Sequence, residues 1–160
     1  MKKIITCILA FAIVAMMSMT AFAVEIDQDS VRNTADAVIT TKIEPSYTVT
    51  IPADIQVPFR AKETEFGAIS IESARIHPDK CIKVMLNASG FLKNETDASK
   101  VIPYVVKSGE EIFSSATYLA AGDKTMLTIH IKEEAWNKAF AGSYKDTVTF
   151  TVSYEDKEIP

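Results

Sequence analysis

The sequence of 160 residues predicts an all-β protein, an antiparallel β-sandwich of about seven strands with one short helical corner. Apolar and polar residues alternate in short segments along the chain, as in strands that bury one face and expose the other. The strictest alternation is in residues 143–155, SYKDTVTFTVSYE, and only residues 133–140 follow a helical pattern instead. Because each strand has one apolar face, these observations favour two sheets packed face to face.

The strands are predicted in chain order from segments that alternate or are rich in β-branched residues. They cover residues 46–52, 66–76, 80–87, 101–106, 111–119, 126–132 and 143–155. Pro103 lacks a backbone N–H, so residues 101–106 are predicted to be an edge strand or a bulged one. In the helical corner, Trp136 and Phe140 are four residues apart and are predicted to meet on one helical face.

The N-terminus has the pattern of a bacterial secretory signal, predicted to be cleaved after residue 23. Lys2 and Lys3 precede an uncharged apolar stretch, and Ala21-Phe22-Ala23 has the small-x-small pattern of a cleavage site. The apolar stretch is shorter than a membrane-spanning helix requires. We therefore expect a secreted, extracellular or cell-surface protein, with residues 24–42 as a leader or extension strand and residues 43–160 as the sandwich domain.

The charge balance argues against two classes of partner. The chain has 17 Lys and Arg against 21 Asp and Glu, a formal net charge of −4. Loss of Lys2 and Lys3 with the signal would make the mature chain more acidic. Because an acidic surface is repelled by phosphates and anionic lipids, we expect no nucleic acid and no membrane among the partners after signal cleavage.

Few residues suggest a catalytic or metal-binding site. His77 and His130 have no His or Cys nearby at metal-ligand spacing, and the sequence has no phosphate-binding loop, zinc-protease or serine-hydrolase motif. Cys81 is the one cysteine outside the predicted signal, and it alternates out of phase with Ile82 and Val84, so a packed thiol is favoured over a reactive one. We predict no catalytic, metal or cofactor-binding residues and no enzymatic activity, with an unrecognised acidic pair as the remaining enzymatic alternative.

Residues 126–144 resemble the E-strand, the E–F corner and the start of the F-strand of immunoglobulin-like domains. The matching residues are MLTIHI and then, after a short corner, Ala141-Gly142-Ser143-Tyr144. The Gly-x-Tyr spacing resembles the tyrosine corner of those domains. The resemblance implies an immunoglobulin-like sandwich in which Gly142 and Tyr144 form a structural corner, with the Tyr144 phenol bonded backwards to the backbone.

The end of the chain also resembles the last strand of bacterial fimbrial subunits and spore-coat-U-like proteins, which are exported sandwiches. The matching residues are Gly142, Tyr144, Val148, Phe150, Val152 and Tyr154. In fimbrial subunits the fold lacks its final strand, and the N-terminal extension of a neighbouring subunit fills the gap. The resemblance therefore implies an edge that another strand must cover.

The leader offers a candidate for that strand, because part of it alternates in one phase. The residues of this possible strand-exchange segment are Ala35, Ala37, Ile39, Thr41 and Ile43. The segment is expected either to fold back on its own domain or to insert into another subunit. The chain has no fimbrial disulfide, and self-capping is the favoured alternative.

These observations predict a non-catalytic secreted bacterial surface protein with a structural or adhesive role. It would interact through sheet edges or loops with a protein, either itself or another surface protein, or with a cell-surface glycan. The alternative is a carbohydrate-binding module in which Trp136, Tyr104 or Tyr118 stacks on sugar rings. For Trp136, a structural role closing the end of the sandwich is favoured over stacking.

Overall fold

The computed structural model describes residue 26, residues 28–29 and residues 34–158. The chain divides into two compact units, Met1–Thr41 and Lys42–Pro160. The described residues of the first unit form neither helix nor strand. The predicted signal peptide, residues 1–23, lies outside the described residues, so its cleavage remains a prediction.

The second unit has eleven strands and one helix within its described residues. The strands are β1 (Ser46–Thr50), β2 (Glu63–Arg75), β3 (Lys80–Asn87), β4 (Phe91–Asn94), β5 (Val101–Pro103), β6 (Val105–Ser108), β7 (Glu111–Ile112), β8 (Ser115–Tyr118), β9 (Lys124–His130), β10 (Tyr144–Lys145) and β11 (Thr149–Asp156). The helix, α1 (Glu133–Lys138), lies between β9 and β10. All described strand pairs are antiparallel, so the predicted all-β antiparallel class is confirmed.

The strands form three sheets. One has five strands in the order β1-β2-β9-β6-β7, and the other two have three strands each, in the orders β10-β4-β5 and β11-β3-β8. Two stretches of chain each contribute one strand to both three-stranded sheets. The first forms β3 and, after residues 88–90, β4; the second forms β10 and, after residues 146–148, β11. In these sheets β11 and β10 are both edge strands.

One buried hydrophobic cluster joins all three sheets. Its members with almost no solvent exposure are Ile69, Ile71, Ile82, Val84, Ile102, Leu127 and Ile131. Ile69 and Ile71 alternate in β2, Ile82 and Val84 alternate in β3, and Leu127 alternates in β9 with Ile129, which is 7 % exposed; this confirms the period-2 pattern in those strands. Each such side chain contributes roughly 1.5–3 kcal/mol by leaving water.

The strands are shorter and more numerous than the sequence predicted. The segments 101–106 and 111–119 each form two strands, and the first of these breaks immediately after Pro103, which cannot donate a ladder hydrogen bond. The sequence did not predict β4, because its four residues FLKN are too few to show alternation. It also missed the start of β2, where Glu63 and Glu65 resemble a polar loop.

The predicted helical corner is confirmed, but it ends early. α1 stops at Lys138, because Ala139 is already extended with φ −72° and ψ 137°. Phe140 therefore lies outside the helix, and the prediction that it meets Trp136 on one helical face is wrong. Trp136 instead contacts Phe59 edge-to-face, with ring centroids 5.7 Å apart. Among the described residues, no helix is long and apolar enough to cross a membrane.

Candidate binding cleft

The free edge of β11 is the first feature of the candidate site. β11 pairs with β3 over its whole length, from Thr149 opposite Asn87 to Asp156 opposite Lys80. No described strand pairs with its other side. Val152, in the middle of the strand, is 37 % exposed. Such an edge presents unpaired N–H and C=O groups and is a template for another strand.

An irregular segment, residues 51–57, lines a cleft together with the linker between β10 and β11. The cleft has a volume of about 530 Å³, and its remaining lining includes the side chains Phe66, Leu92, Tyr104 and Ile129. Outside the strands, none of the described backbone–backbone hydrogen bonds involves residues 51–57 or 146–148. We call this space the edge cleft. It is bordered by two chain segments that form no described backbone–backbone hydrogen bond, although the Thr147 N–H bonds to the Asp146 carboxylate.

Asp146 joins the linker to the core beside the edge cleft. Its Oδ2 accepts hydrogen bonds from the Tyr104 hydroxyl at 2.5 Å and from the Ser89 hydroxyl at 2.9 Å. Partial burial acts to raise the pKa of Asp146, but these bonds and those from the Thr147 and Ser89 backbone outweigh it and lower the pKa. Burial, followed by the bond to Asp146, raises the pKa of Tyr104 well above its usual range. The pair therefore exists as a neutral phenol donating to a carboxylate.

The corner before β10 is held by Tyr144. Its hydroxyl donates to the Phe140 carbonyl oxygen at 3.0 Å and accepts from the Phe140 N–H at 3.2 Å, a bond directed backwards along the chain. Gly142 has φ +143°, and a Cβ atom there would collide with the side-chain amide of Asn94, which is buried. Both features fix the backbone of residues 140–144.

A second cleft, with a volume of about 620 Å³, continues from the edge cleft towards α1. The two clefts share the lining residues Ile55, Val57, Leu92 and Asp146. The rings of Phe59, Trp136 and Phe140 also line the second cleft, and we call these three residues the aromatic mouth. Phe59 is 73 % exposed and Phe140 is 62 % exposed, which is unusual for rings that do not bind something.

The position of Phe59 is set by a tight turn. The Ala61 N–H donates to the Pro58 carbonyl oxygen at 3.0 Å, and Arg60 has φ +66°, the one positive φ among the described non-glycine residues. Such backbone conformations cost about 1–3 kcal/mol and concentrate at functional sites. The Trp136 indole N–H donates to the Ala61 carbonyl oxygen at 2.9 Å and joins the turn to α1.

The three residues predicted to stack on sugar lie in different places. Tyr104 and Tyr118 are 6 % and 3 % exposed, and their hydroxyls bond to Asp146 and Thr125 inside the protein. Their buried ring faces count against a role in stacking. Trp136 is half-buried against the core, which agrees with the structural role favoured from the sequence, but its ring also reaches the second cleft.

Sequence patterns did not single out Phe59 or Asp146. A usable signal was present, because Ile51, Ile55, Val57 and Phe59 share one phase of an alternating segment in which Pro52 and Pro58 disfavour a regular strand. Apolar residues in a segment that is neither a regular strand nor a helix often line a cleft. The partner residues on the opposite wall could not be inferred, because they lie about ninety positions away along the chain.

The candidate strand-exchange segment is described from residue 34 onward. Ala35, Ala37, Ile39, Thr41 and Ile43 are all exposed, and none of them belongs to a strand. Ile39 is 97 % exposed and Val38, in the opposite phase, is 86 % exposed. Two neighbouring apolar side chains in water favour a bound state in which at least one of them is covered.

The remaining candidates for chemistry are few. Cys81 is 4 % exposed, and its thiol donates to the Asp156 carbonyl oxygen at 3.8 Å, so it is packed as predicted. His130 faces Glu63 at 3.4 Å and its side chain is 20 % exposed, less than its place on the polar side of a strand suggested. Within the described part of the chain, no three His, Cys, Asp or Glu side chains are grouped so that they could hold a metal ion.

Comparisons with known proteins leave the chain without an assigned family: no protein-family model matches it, and no curated protein matches it significantly.

Proposed function

We propose that this protein is a non-catalytic, secreted bacterial surface protein with a structural or adhesive role, and that it associates with protein through the edge cleft. The observation behind the proposal is the free edge of β11 beside two segments that form no described backbone–backbone hydrogen bond. Strand addition at such an edge gains affinity from main-chain hydrogen bonds and specificity from alternate side chains that enter the cleft.

We also propose that the fold is an immunoglobulin-like sandwich. In such domains one sheet has the strand order A-B-E-D and the other contains C, F and G. The order β1-β2-β9-β6 is consistent with the first sheet, and β3 beside β11 is consistent with strands C and F. In this assignment strand G would pair with the free edge of β11, which has no described strand as a partner.

The most economical occupant is the strand-exchange segment itself. Its in-phase residues Ile39 and Ile43 are exposed and apolar, while the walls and floor of the edge cleft contain Ile51, Phe66 and Ile129. Inserted as a strand, the segment would cover the apolar floor and pair with the edge at the same time. Either the same chain or a second copy can supply it.

The test is the oligomeric state of the secreted form, residues 24–160, measured by multi-angle light scattering over a range of concentrations. Deletion of residues 24–42 is expected to remove any concentration-dependent association or, if the segment caps its own domain, to lower the urea midpoint and promote aggregation. A truncated protein that stays monomeric and equally stable would contradict the role of this segment.

Two neighbouring substitutions sharpen the test. Ile39→Asp places a charge in the phase that enters the cleft, so it is expected to act like the deletion. Val38→Asp adds the same charge one position away in the opposite phase and is expected to have little effect. Equal effects of the two substitutions would argue against insertion of the segment as a strand.

A further inference from the structure

The aromatic mouth has the form of a prepared binding site. Exposed apolar rings normally move freely, but here both exposed rings stand on a fixed backbone. The Tyr144 hydroxyl holds the peptide of Phe140 with two hydrogen bonds. The turn that contains Arg60, with its positive φ, presents Phe59. Fixed rings lose little entropy when a ligand binds them.

The walls of the second cleft, which the aromatic mouth lines, combine aromatic ring surface with hydrogen-bonding groups. Phe59 and Trp136 are nearly perpendicular, with an interplanar angle of 85°, and so form a corner. Gln56, Ser143 and Asp146 line the same cleft and add an amide, a hydroxyl and a carboxylate. A sugar ring matches this combination, because its C–H face is apolar and its rim consists of hydroxyls. The volume of about 620 Å³ lies within the range of small-molecule sites.

Two positive charges lie at the aromatic mouth. The Arg60 guanidinium carbon is 5.3 Å from the centroid of Phe59, and the Lys100 ammonium is 4.9 Å from the centroid of Phe140. Both cations stand at exposed rings, and each has a carboxylate nearby: Asp97 interacts electrostatically with Lys100, and Glu133 lines a small cleft together with Arg60. Asp146 is the opposing charge in the cleft, but its Oδ2 already accepts hydrogen bonds from Tyr104 and Ser89.

We infer that the aromatic mouth binds an acidic glycan, a chain of sugar residues that bear carboxylates. The sugar faces stack on Phe59 and Phe140, and Arg60 and Lys100 pair with the carboxylates. This site adjoins the strand-addition site, since the two clefts share four lining residues, but stacking and charge pairing use the mouth residues and not the free edge of β11. Phe59 and Phe140 replace the buried Tyr104 and Tyr118 as the stacking residues.

The single tryptophan makes the test direct, since Trp136 belongs to the mouth and its fluorescence reports on ligands there. The secreted form, residues 24–160, is titrated with a galacturonic acid hexamer and, separately, with cellohexaose as the neutral probe. We expect saturable binding of the acidic probe that weakens as salt is added, because exposed charge pairs are screened. Absence of saturation at millimolar probe, or equal affinity for cellohexaose, would overturn the inference.

Substitutions locate the site. Phe59→Ala and Phe140→Ala are each expected to weaken binding of the acidic probe by about tenfold. Ile112→Ala is the matched control, because Ile112 is 69 % exposed but lies in β7 and does not line the mouth. Removal of residues 24–42 is expected to leave glycan binding unchanged, which separates this site from the edge cleft. Unchanged affinity in both phenylalanine variants would place the glycan elsewhere and overturn the assignment.

Discussion

β9 and β11 both alternate regularly in the sequence, but they have different surroundings in the fold. β9 lies between β2 and β6, and its inward residues Leu127 and Ile129 are 0 % and 7 % exposed. β11 has one neighbouring strand, and its Val152 is 37 % exposed. Alternation therefore indicates which face of a strand points inward, but not how many neighbours cover that strand or its edges.

The largest expected difference between the two strands is in stability. Leu127→Ala is expected to lower the free energy of unfolding by about 2–5 kcal/mol, because it leaves a cavity in a closed core. Val152→Ala removes a partly exposed side chain and is expected to cost less than about 1 kcal/mol. Urea unfolding of both variants measures the difference. A cost for Val152→Ala as large as that of Leu127→Ala would mean that β11 is covered in solution.

The hydrogen bond between Tyr104 and Asp146 connects the core to the linker beside the edge cleft. We expect its loss to have the next largest effect on stability. Tyr104→Phe keeps the ring and removes the hydroxyl, which donates to a carboxylate. Hydrogen bonds to charged groups contribute about 1.5–3 kcal/mol, and we expect a loss in that range in urea unfolding. Tyr118→Phe is the control, since its hydroxyl bonds to the neutral Thr125 and should cost less.

The pair of Tyr104 and Asp146 also predicts how the stability of the protein changes at low pH. Because the native pKa of Asp146 lies below its ordinary value of 3.8, the native state binds that proton more weakly than the unfolded state does. The stabilisation is therefore present above pH 3.8 and is lost as the pH falls from there through the native pKa. Asp146→Asn should flatten this part of the stability curve. Parallel curves for the wild type and the variant would show that other carboxylates dominate acid unfolding.

Two glycines, Gly142 at the corner before β10 and Gly122 in the turn between β8 and β9, separate the effect of backbone strain from that of a steric clash. Gly142→Ala suffers both, because Gly142 has φ +143° and its Cβ would meet the Asn94 amide. Gly122→Ala at φ +90° suffers strain alone, since no atom lies within 4 Å of the added carbon. We expect a loss of about 1–3 kcal/mol at both positions, and a larger one for Gly142→Ala, in thermal or urea unfolding. Equal losses would mean that the Asn94 side chain moves aside.

A smaller effect than those of the glycine substitutions is expected for Tyr144→Phe. The substitution removes the bonds to the Phe140 peptide and should cost about 1 kcal/mol, as typical neutral hydrogen bonds do. If the corner positions Phe140 for ligand binding, the same variant also weakens binding of the acidic glycan. A variant that loses stability but retains full affinity would assign Tyr144 a purely structural role.

The sequence predicted those parts of the fold that depend on local pattern. The bounds of β3 match the predicted segment, and the core positions in β9 follow its alternation. β4 was missed because four residues contain too few periods to reveal a strand. The site residues were missed for a different reason: Phe59 meets Trp136, and Tyr104 meets Asp146, across long stretches of chain. Local periodicity contains no information about such long-range contacts.

The ring contact between Tyr47 in β1 and Tyr154 in β11 brings the first and last strands of the domain together. The ring centroids are 6.0 Å apart, and the Tyr154 hydroxyl also accepts from the His77 N–H at 2.8 Å. The start of β1 and the end of β11 therefore lie close together. Since an extended residue spans about 3.3–3.6 Å, a linker of about five residues should join them. The unit is thus a natural candidate for circular permutation, with new ends in the exposed turn at residues 109–110.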